Sequence, residues 1–277
     1  MANYKVTKVS EQLVINLIKL KQNNKEIYDK DKAIYRIFKL DSFLKDFINK
    51  TLTLVDYKKW DDPYENFIHK YCKNGHLDNN RWRSYGQCWS ENEESDAMWR
   101  IYSNDKKGIK VKMIPNKFIE MYEDHMFQFD SKPSMDYCCF IEPVRYLDDD
   151  KIINYVRRYK FSIKNNAFTK HQVDNGLMRY YKFLFPLLTK RMPFAHESEV
   201  RLMYCTGRND ADEFNEKILG NNKIVQFKID PNILFKEIIL DPRLSNNDAN
   251  KLTKILKSNG YKNKIEKSTL YDSPEFD

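Results

Sequence analysis

Two glutamates separated by one residue stand in a stretch of alternating character, Glu197-Ser-Glu-Val-Arg-Leu-Met-Tyr204. The alternation predicts a strand, in which residues i and i+2 share a face, so Glu197, Glu199 and Arg201 should point the same way. Two neighbouring carboxylates repel each other unless they serve a site or are neutralised by a cation. The pair therefore predicts acid–base or electrostatic chemistry in a cleft, or else a solvated strand face on which Arg201 is the counter-ion.

Two polar residues earlier in the chain could complete such a site. Arg36 lies in a predicted strand, Ala33-Ile-Tyr-Arg-Ile-Phe38, and Ser90 ends another, Tyr85-Gly-Gln-Cys-Trp-Ser90. An arginine can hold a phosphate with two hydrogen bonds, although an acid across the sheet would satisfy it equally. A serine can bind a ligand or cap the helix that follows. Both alternatives stay open from the sequence.

The glycine and histidine patterns exclude several common sites. The seven glycines are scattered, whereas P-loop and dinucleotide fingerprints need clustered glycines that let backbone N–H groups approach phosphates. The five histidines form no HExxH motif and no Cys/His zinc pattern, and there is no GxSxG elbow. A bound nucleotide would therefore be held by side chains, and we expect no metal.

Cysteine usage and hydropathy predict a cytoplasmic protein. The five cysteines are scattered, as is usual in a chain whose thiols stay reduced. No uncharged apolar run approaches the roughly 18 residues of a membrane-spanning helix, and the N-terminus lacks the apolar segment of a secretory signal. We therefore expect no membrane partner.

The positive charge is concentrated between residues 151 and 196. Ten lysines and arginines lie there against one acid, Asp174, so this segment alone exceeds the net charge of +8 and the rest is near neutral. Aromatic residues are interleaved with the cations, as on surfaces that bind single-stranded nucleic acid. The alternative is two amphipathic helices with solvated basic faces. The candidate nucleic-acid-binding residues are Arg157, Arg158, Lys160 and Lys164.

Helical and strand patterns are mixed without regular βαβ alternation, which predicts an α+β fold. We expect a single domain, with its core at about 30–148 and 191–270 and a basic helical insertion at about 149–190. Helices are predicted at 10–22, from a cap at Asp41 to Lys50, at 94–103, 149–171 and 176–190, and from a cap at Ser245 to Ser258. Strands are predicted at 33–38, 51–55, 85–90, 108–113, 137–146, 197–204, 223–229 and 236–240.

The order of these motifs resembles the ADP-ribosyltransferase superfamily, in which an early Arg strand, a Ser strand and a late E-x-E strand follow one another. The chain also resembles a widespread bacterial family of uncharacterised domains, over roughly residues 33–270. The motifs that carry this second resemblance are Asp61-Asp-Pro-Tyr-Glu65, Cys88-Trp-Ser90, Met98-Trp-Arg-Ile-Tyr102, Lys107-Gly108 and Glu197-Ser-Glu-Val-Arg201.

The resemblance implies a split β-sheet core and NAD as co-substrate, and it assigns roles to the candidate residues. Glu199 would stabilise the ribose cation that forms when nicotinamide departs, and Glu197 would orient or deprotonate the acceptor. Arg36 would hold the diphosphate or the adenine ribose, and Ser90 would bond the nicotinamide ribose and steady Glu199. The residues that could stack on nicotinamide are Tyr35, Trp89, Trp99 and Tyr102. Trp99 and Tyr102 are equally compatible with a helix packing into the core.

The basic segment makes DNA or RNA the expected acceptor, with protein as the alternative. The resemblance further implies a bacterial toxin, including those of anti-phage toxin–antitoxin systems, and hence an inhibitory partner protein. Two other functions stay open. One is a metal-dependent nuclease that gathers Mg²⁺ with Asp61, Asp62, Glu197 and Glu199, although Asp62 and Glu65 could equally form a turn around Pro63. The other is a non-enzymatic domain that binds nucleic acid or a partner through the basic segment.

Overall fold

The structure is a computed structural model that describes residues 29–60, 62, 64, 83–127, 137–164, 187–206, 216–219 and 224–273. Six helices lie in these ranges: α1 (Leu40–Asn49), α2 (Asp96–Tyr102), α3 (Pro115–Phe127), α4 (Asp149–Lys164), α5 (Pro231–Leu234) and α6 (Asn246–Ser258). The strands are β1 (Ile34–Phe38), β2 (Thr51–Asp56), β3 (Arg83–Ser90), β4 (Ile109–Met113), β5 (Tyr137–Pro143), β6 (Arg145–Leu147), β7 (Thr189–Arg191), β8 (Glu199–Thr206), β9 (Glu216–Leu219), β10 (Ile224–Lys228), β11 (Phe235–Leu240) and β12 (Lys264–Lys267). Among the described residues, no helix is long and apolar enough to cross a membrane.

A mixed α+β fold is built on a central, mostly antiparallel sheet. Along its main path the strands run in the order β12-β11-β4-β1-β3-β2-β10-β9, while β8 pairs with β3 and β5 pairs with β8. Within this sheet, β11 and β12 form a parallel pair. The strands β6 and β7 form a separate parallel pair.

The sheet forks at β3. The strand β8 pairs along all of β3, from Arg83 to Ser90, and thus occupies one edge of it. The other edge is shared: β1 pairs at Tyr35–Ser90, and β2 pairs near Gly86, toward the opposite end. Because β1 and β2 contact different ends of one edge, they diverge and leave the end of β3 beside β1 open for side chains.

Aromatic side chains fill much of the core between the sheet and its helices. Phe43 and Phe47 lie one turn apart on α1 and are buried, with ring centroids 5.6 Å apart. Trp89 packs edge-on against Phe38 at 6.0 Å. Full burial of such a side chain contributes about 1.5–3 kcal/mol, so this cluster holds β1 and β3 together behind the fork.

Most predicted elements are present within one to three residues of their expected bounds. The cap at Ser245 is confirmed, because its Oγ accepts a hydrogen bond from the Asp248 amide at 3.1 Å. The predicted helix at 10–22 and the stretch from 165 to 186 lie outside the described residues. That the chain is a single domain stays a prediction.

Four local predictions are wrong. The helix α1 begins at Leu40 with Lys39 at its N-cap, so Asp41 lies in the first turn instead of capping it. Residues 189–190 belong to β7 rather than to a helix, and the predicted strand at 137–146 is interrupted at Val144. Glu197 ends a 3-10 turn, Met192–Glu197, instead of lying in β8. The helices α3 and α5 and the strands β9 and β12 were not predicted.

The turn before β4 requires a glycine. A Cβ at Gly108 would lie 2.6 Å from Oγ and 2.7 Å from Cβ of Ser103. That serine is buried and fixed, since its hydroxyl donates to Asp241 at 2.5 Å and accepts from the Gly108 amide at 2.8 Å. The glycine therefore lets the end of α2 dock onto β4.

Gly108→Ala should lower the free energy of unfolding by about 1–3 kcal/mol, the usual cost of inserting a methyl group into a packed site. The neighbouring exposed residue provides the control: Lys107→Ala should change the free energy of unfolding by less than about 0.5 kcal/mol. Urea denaturation measures both. Equal stabilities for the two variants would contradict the close approach of Ser103 to this turn.

Candidate functional site

Three residues from three strands stand in register at the fork. Tyr35 of β1 pairs with Ser90 of β3, and Ser90 pairs with Glu199 of β8. Backbone pairing thus brings residues far apart in the sequence into one row across the sheet. Glu197, two residues before Glu199, ends the 3-10 turn that precedes β8.

An open cleft of about 310 Å³ lies over this row, lined among others by Arg36, Ser90, Glu197, Glu199 and Tyr102. A second space of about 250 Å³ shares Tyr35, Ile37, Ser90 and Met98 with it, so the two form adjacent lobes. The early arginine, the mid-chain serine and both glutamates therefore meet in one cleft.

Glu199 is a buried carboxylate paired with two cations. Its Oε1 accepts from Arg201 Nε at 2.7 Å and its Oε2 from Lys190 Nζ at 3.0 Å. Burial opposes its ionisation, but the charges of Arg201 and Lys190 more than offset it and lower the pKa of Glu199 to about 2. Glu199 is therefore ionised at neutral pH.

Arg201 is the predicted counter-ion on the same strand face as Glu199. It is fully buried; its Nη1 donates to the Leu187 carbonyl at 2.7 Å, and its guanidinium lies 4.3 Å from the ring centroid of Trp60. Gly86 makes room for that indole, because a Cβ there would lie 2.6 Å from it. The pairing of Glu199 with Arg201 is confirmed, and it coexists with a cleft.

Glu197 reaches the same cation from outside the strand. Ser198 adopts a left-handed conformation (φ 44°) that turns the chain between the 3-10 turn and β8. The Glu197 carboxylate accepts from Lys190 Nζ at 2.6 Å and from the Tyr102 hydroxyl at 3.3 Å. The two glutamates do converge, but through a shared lysine and not through strand alternation.

Arg36 spans the fork. Its Nη1 donates to the Cys88 carbonyl on β3, and its guanidinium lies 5.0 Å from the ring centroid of Phe38. Its Nε is buried without a hydrogen-bond partner. Burial lowers the pKa of Arg36, and within the described part of the chain it forms no ion pair with an acid. The predicted alternative of a cross-sheet acid partner is therefore not seen there.

The Ser90 side chain neither caps a helix nor bonds Glu199. Its hydroxyl donates to the Glu197 carbonyl at 2.6 Å and accepts from the Asn92 amide at 3.0 Å. The helix α2 is capped by Ser95 instead. Ser90 therefore fixes the turn that carries Glu197, while its backbone pairs with Glu199; its predicted roles toward the ribose and Glu199 stay predictions.

The four predicted stacking residues divide into two pairs. Trp99 is fully buried and lines neither lobe, and its Nε1 donates to Glu94 at 2.5 Å. Trp89 lies in the hydrophobic core at 2% exposure, although it also contributes to the wall of the cleft. Both indoles therefore pack into the core, and stacking on a ligand stays a prediction for them. Tyr35 and Tyr102 do line the cleft, and burial raises the pKa of the Tyr35 hydroxyl to about 12, so it stays protonated.

The predicted nucleic-acid-binding residues lie on α4. The side chain of Arg157 is exposed, whereas those of Arg158, Lys160 and Lys164 lie outside the described part of the structure. Two cations counted in the basic segment, Lys190 and Arg191, pair with buried acids instead. The exposed part of the basic surface is thus smaller than the sequence suggests.

The Asp-Pro loop and the glutamate pair do not share a metal site within the described residues. Asp62 Oδ1 accepts from the Tyr64 amide at 2.9 Å, which is the turn expected around Pro63, and lies 3.4 Å from Arg191. No group of acids, histidines or cysteines suited to a metal ion is found among the residues that the structure describes. Asp61 and Glu65 lie outside them.

Sequence reasoning missed Lys190 and Tyr146. Lys190 was counted only as surface charge, and the Tyr146 hydroxyl accepts a hydrogen bond from the Glu199 amide at 2.7 Å. Both belong to the parallel pair of β6 and β7, whose non-local pairing leaves no spacing signal. The only local hint is that an apolar pair, Leu187-Leu188, lies shortly before Lys190.

Comparison with known proteins gives two similarities. A family described as a protein of unknown function (DUF2971) matches residues 98–202, a segment that includes most of α2, Gly108, Lys190 and both glutamates. Among solved structures, the chain is similar to Thermus sp. 2.9 DarT in complex with ADP-ribosylated ssDNA. The sequence identity is 10%, the TM-score is 0.34, and the alignment covers 88% of this chain and 97% of that one. No curated protein matches.

Arg201→Met should lower the free energy of unfolding by about 3–5 kcal/mol at neutral pH, because it removes one partner of a buried ion pair. Since the folded pKa of Glu199 is depressed, its stabilisation is present above the ordinary carboxyl pKa of 4.5 and is lost as pH falls toward about 2. The difference in the free energy of unfolding between Arg201→Met and the wild type should therefore become smaller over that pH range. Chemical denaturation across pH measures it.

Arg100→Met is the matched control for this change. Arg100 forms an exposed ion pair with Asp96, so its loss should leave stability close to that of the wild type at every pH. A constant deficit for Arg201→Met across the acid range would contradict the ionised pairing of Glu199.

Proposed function

We propose that the protein is an NAD-dependent ADP-ribosyltransferase that modifies a macromolecular acceptor, with nucleic acid as the favoured class. The observation that carries the proposal is that Arg36, Glu197 and Glu199 line one open cleft. A cation beside a carboxylate pair is the combination needed to hold a dinucleotide by its phosphates and to stabilise a sugar cation. The split-sheet core and the roles below are parts of the same proposal.

The proposed reaction breaks the bond between C1′ of the nicotinamide ribose and the pyridine nitrogen. The bonding electron pair leaves with nicotinamide, and positive charge develops on the ribose, as in glycoside cleavage. A nucleophile of the acceptor then bonds to C1′ and releases a proton. A fixed carboxylate near the ribose lowers the energy of the cation, and because its position is already set, little reorganisation is needed.

The environments of the two glutamates support different roles. Glu199 is held by Arg201 and Lys190 and stays charged, which suits electrostatic stabilisation and a hydrogen bond from a ribose hydroxyl. The Glu197 side chain is 9% exposed against 2% for Glu199. Because it lies nearer the solvent, Glu197 is better placed to accept the proton from the acceptor.

Arg36 and the two tyrosines would hold the rest of the dinucleotide. Arg36 has a buried Nε without a partner, and an arginine bridges phosphate oxygens through its fixed donors. Tyr102 is 40% exposed at the edge of the cleft and offers a ring for the pyridine, while Tyr35 extends the wall into the second lobe. Because the chain lacks a glycine-rich phosphate loop, these side chains carry the binding.

Charge supports a nucleic-acid acceptor. The segment from 151 to 196 has ten basic residues and one acid, and its described part includes the exposed Arg157 on α4. Cations that neutralise phosphates give affinity that falls with salt. An enzyme that modifies DNA or RNA would harm its own cell, so a toxin role in anti-phage defence with an inhibitory partner protein is a further part of the proposal.

Glu199→Gln should reduce nicotinamide release from NAD by about 100-fold or more, because the amide keeps the shape of the side chain but loses its charge. The assay uses ring-labelled NAD with single-stranded DNA, RNA or cell protein as acceptor. Glu237→Gln is the matched control, since Glu237 is also ion-paired on the sheet but does not line the cleft; it should retain wild-type activity. Equal activity in both variants, or no release by the wild type with any acceptor, would contradict the proposal.

Simultaneous Arg157→Glu, Arg158→Glu and Lys160→Glu changes should weaken nucleic-acid binding and flatten its dependence on salt. Lys251→Glu, Lys254→Glu and Lys257→Glu make a comparable charge reversal on the exposed face of α6 and should leave binding much closer to wild type. Fluorescence anisotropy with labelled oligonucleotides at several salt concentrations measures both. Equal losses in the two variants would show that net charge, and not α4, governs binding.

A further inference from the structure

Lys190 lies between the two glutamates and is itself largely shielded from solvent. Its Nζ is 2.6 Å from Glu197 Oε2 and 3.0 Å from Glu199 Oε2, and its side chain is 10% exposed. The ammonium group also lies 4.7 Å from the ring centroid of Phe194. One cation is thus shared by two carboxylates that have little access to water.

Two carboxylates in one site cannot both be charged without compensation, and the usual result is that one of them keeps a proton. Arg201 compensates Glu199 directly. Glu197 has no cation other than Lys190 within ion-pair distance among the described residues. Without the lysine, the pair would carry two negative charges against one positive charge.

The remaining groups that face the pair do not replace the lysine. Arg36 is engaged with the Cys88 carbonyl, and the Tyr102 hydroxyl donates to Glu197 without carrying charge. The exposed His196 side chain bonds the Pro193 carbonyl. Titratable or charged groups around the pair are Arg36 on β1, Cys88 on β3, Tyr102 on α2, Tyr146 on β6, Lys190 on β7, His196 on the 3-10 turn and Arg201 on β8.

We propose that Lys190 is a positioning residue that keeps Glu197 and Glu199 charged together, so that both can act in one turnover. The inference rests on the proposed transferase function. As the bond from C1′ to nicotinamide breaks and the bond from C1′ to the acceptor forms, Glu199 faces the ribose cation and Glu197 takes the proton of the acceptor. A protonated Glu197 could not accept that proton, so the lysine sets the lowest pH at which the site works.

Lys190→Met tests this role, because methionine retains an unbranched side chain and removes the charge. The acid limb of the rate against pH should move up by at least about one unit, which is about tenfold in rate at a pH on that limb. Activity should recover at alkaline pH, where the pair is charged again. Lys190→Arg keeps the charge and should stay near the wild-type profile.

If Lys190 only stabilises the fold, the rate should depend on pH in a different way. Loss of activity by the same factor at every pH, or an unmoved acid limb, would overturn the proposal, as would a Lys190→Arg profile that matches Lys190→Met. Circular dichroism and thermal melting establish that each variant is folded.

A direct titration separates this inference from the transferase function. With carboxyl-labelled glutamate, NMR follows the titration of the pair, assigned from the Glu197→Gln and Glu199→Gln spectra. In Lys190→Met one carboxyl should titrate at higher pH, and adding Glu197→Gln should bring the remaining carboxyl down again. If the carboxyl titrations in Lys190→Met match those of the wild type, the charge role of Lys190 is overturned, even if the wild-type enzyme is active. If a carboxyl titration shifts in Lys190→Met but the wild-type protein releases no nicotinamide, the charge role of the lysine stands. The transferase function and the catalytic use of the pair are then overturned.

Discussion

The site depends on the burial of two carboxylates within reach of two cations. Glu199 lies between Arg201 and Lys190, and Lys190 also reaches Glu197. Each charge is costly to remove from water, and the set is tolerable only because every member has an opposite partner at hydrogen-bonding distance. These ion pairs keep one charged glutamate, Glu199, in a fixed position at the cleft. The proposed chemistry requires such a residue.

The forked sheet makes this arrangement possible. Because β8 follows the whole of β3 while β1 touches only its end, Glu199 is held rigidly and the space beside β1 stays open. Arg36 bridges that opening to the Cys88 carbonyl, and Ser90 ties the turn of Glu197 to β3. The hydrophobic cluster of Phe38, Phe43 and Trp89 supports the fork from behind.

The sequence predicts those features that are encoded locally. Strand alternation placed Glu199 and Arg201 on one face, and the capping serine fixed the start of α6. The position of Glu197 could not be predicted from the sequence, because a left-handed Ser198 changes the direction of the chain. The position of Lys190 could not be predicted either, because its strand pairs with one that is distant in the sequence. The sequence also could not decide whether Trp99 is buried or contacts a ligand, since aromatic spacing on α2 fits either a core or a ligand site. In the structure Trp99 is completely buried, with its Nε1 bonded to Glu94 and Lys110 Nζ 5.2 Å from its ring centroid.

The most direct test is a crystal structure of the full chain with a non-hydrolysable NAD analogue. The account predicts the nicotinamide ribose beside Glu199 and Glu197, the pyridine ring against Tyr102, and a phosphate oxygen bonded to Arg36. An analogue bound with its ribose away from both glutamates, or no bound analogue at saturating concentration, would contradict it.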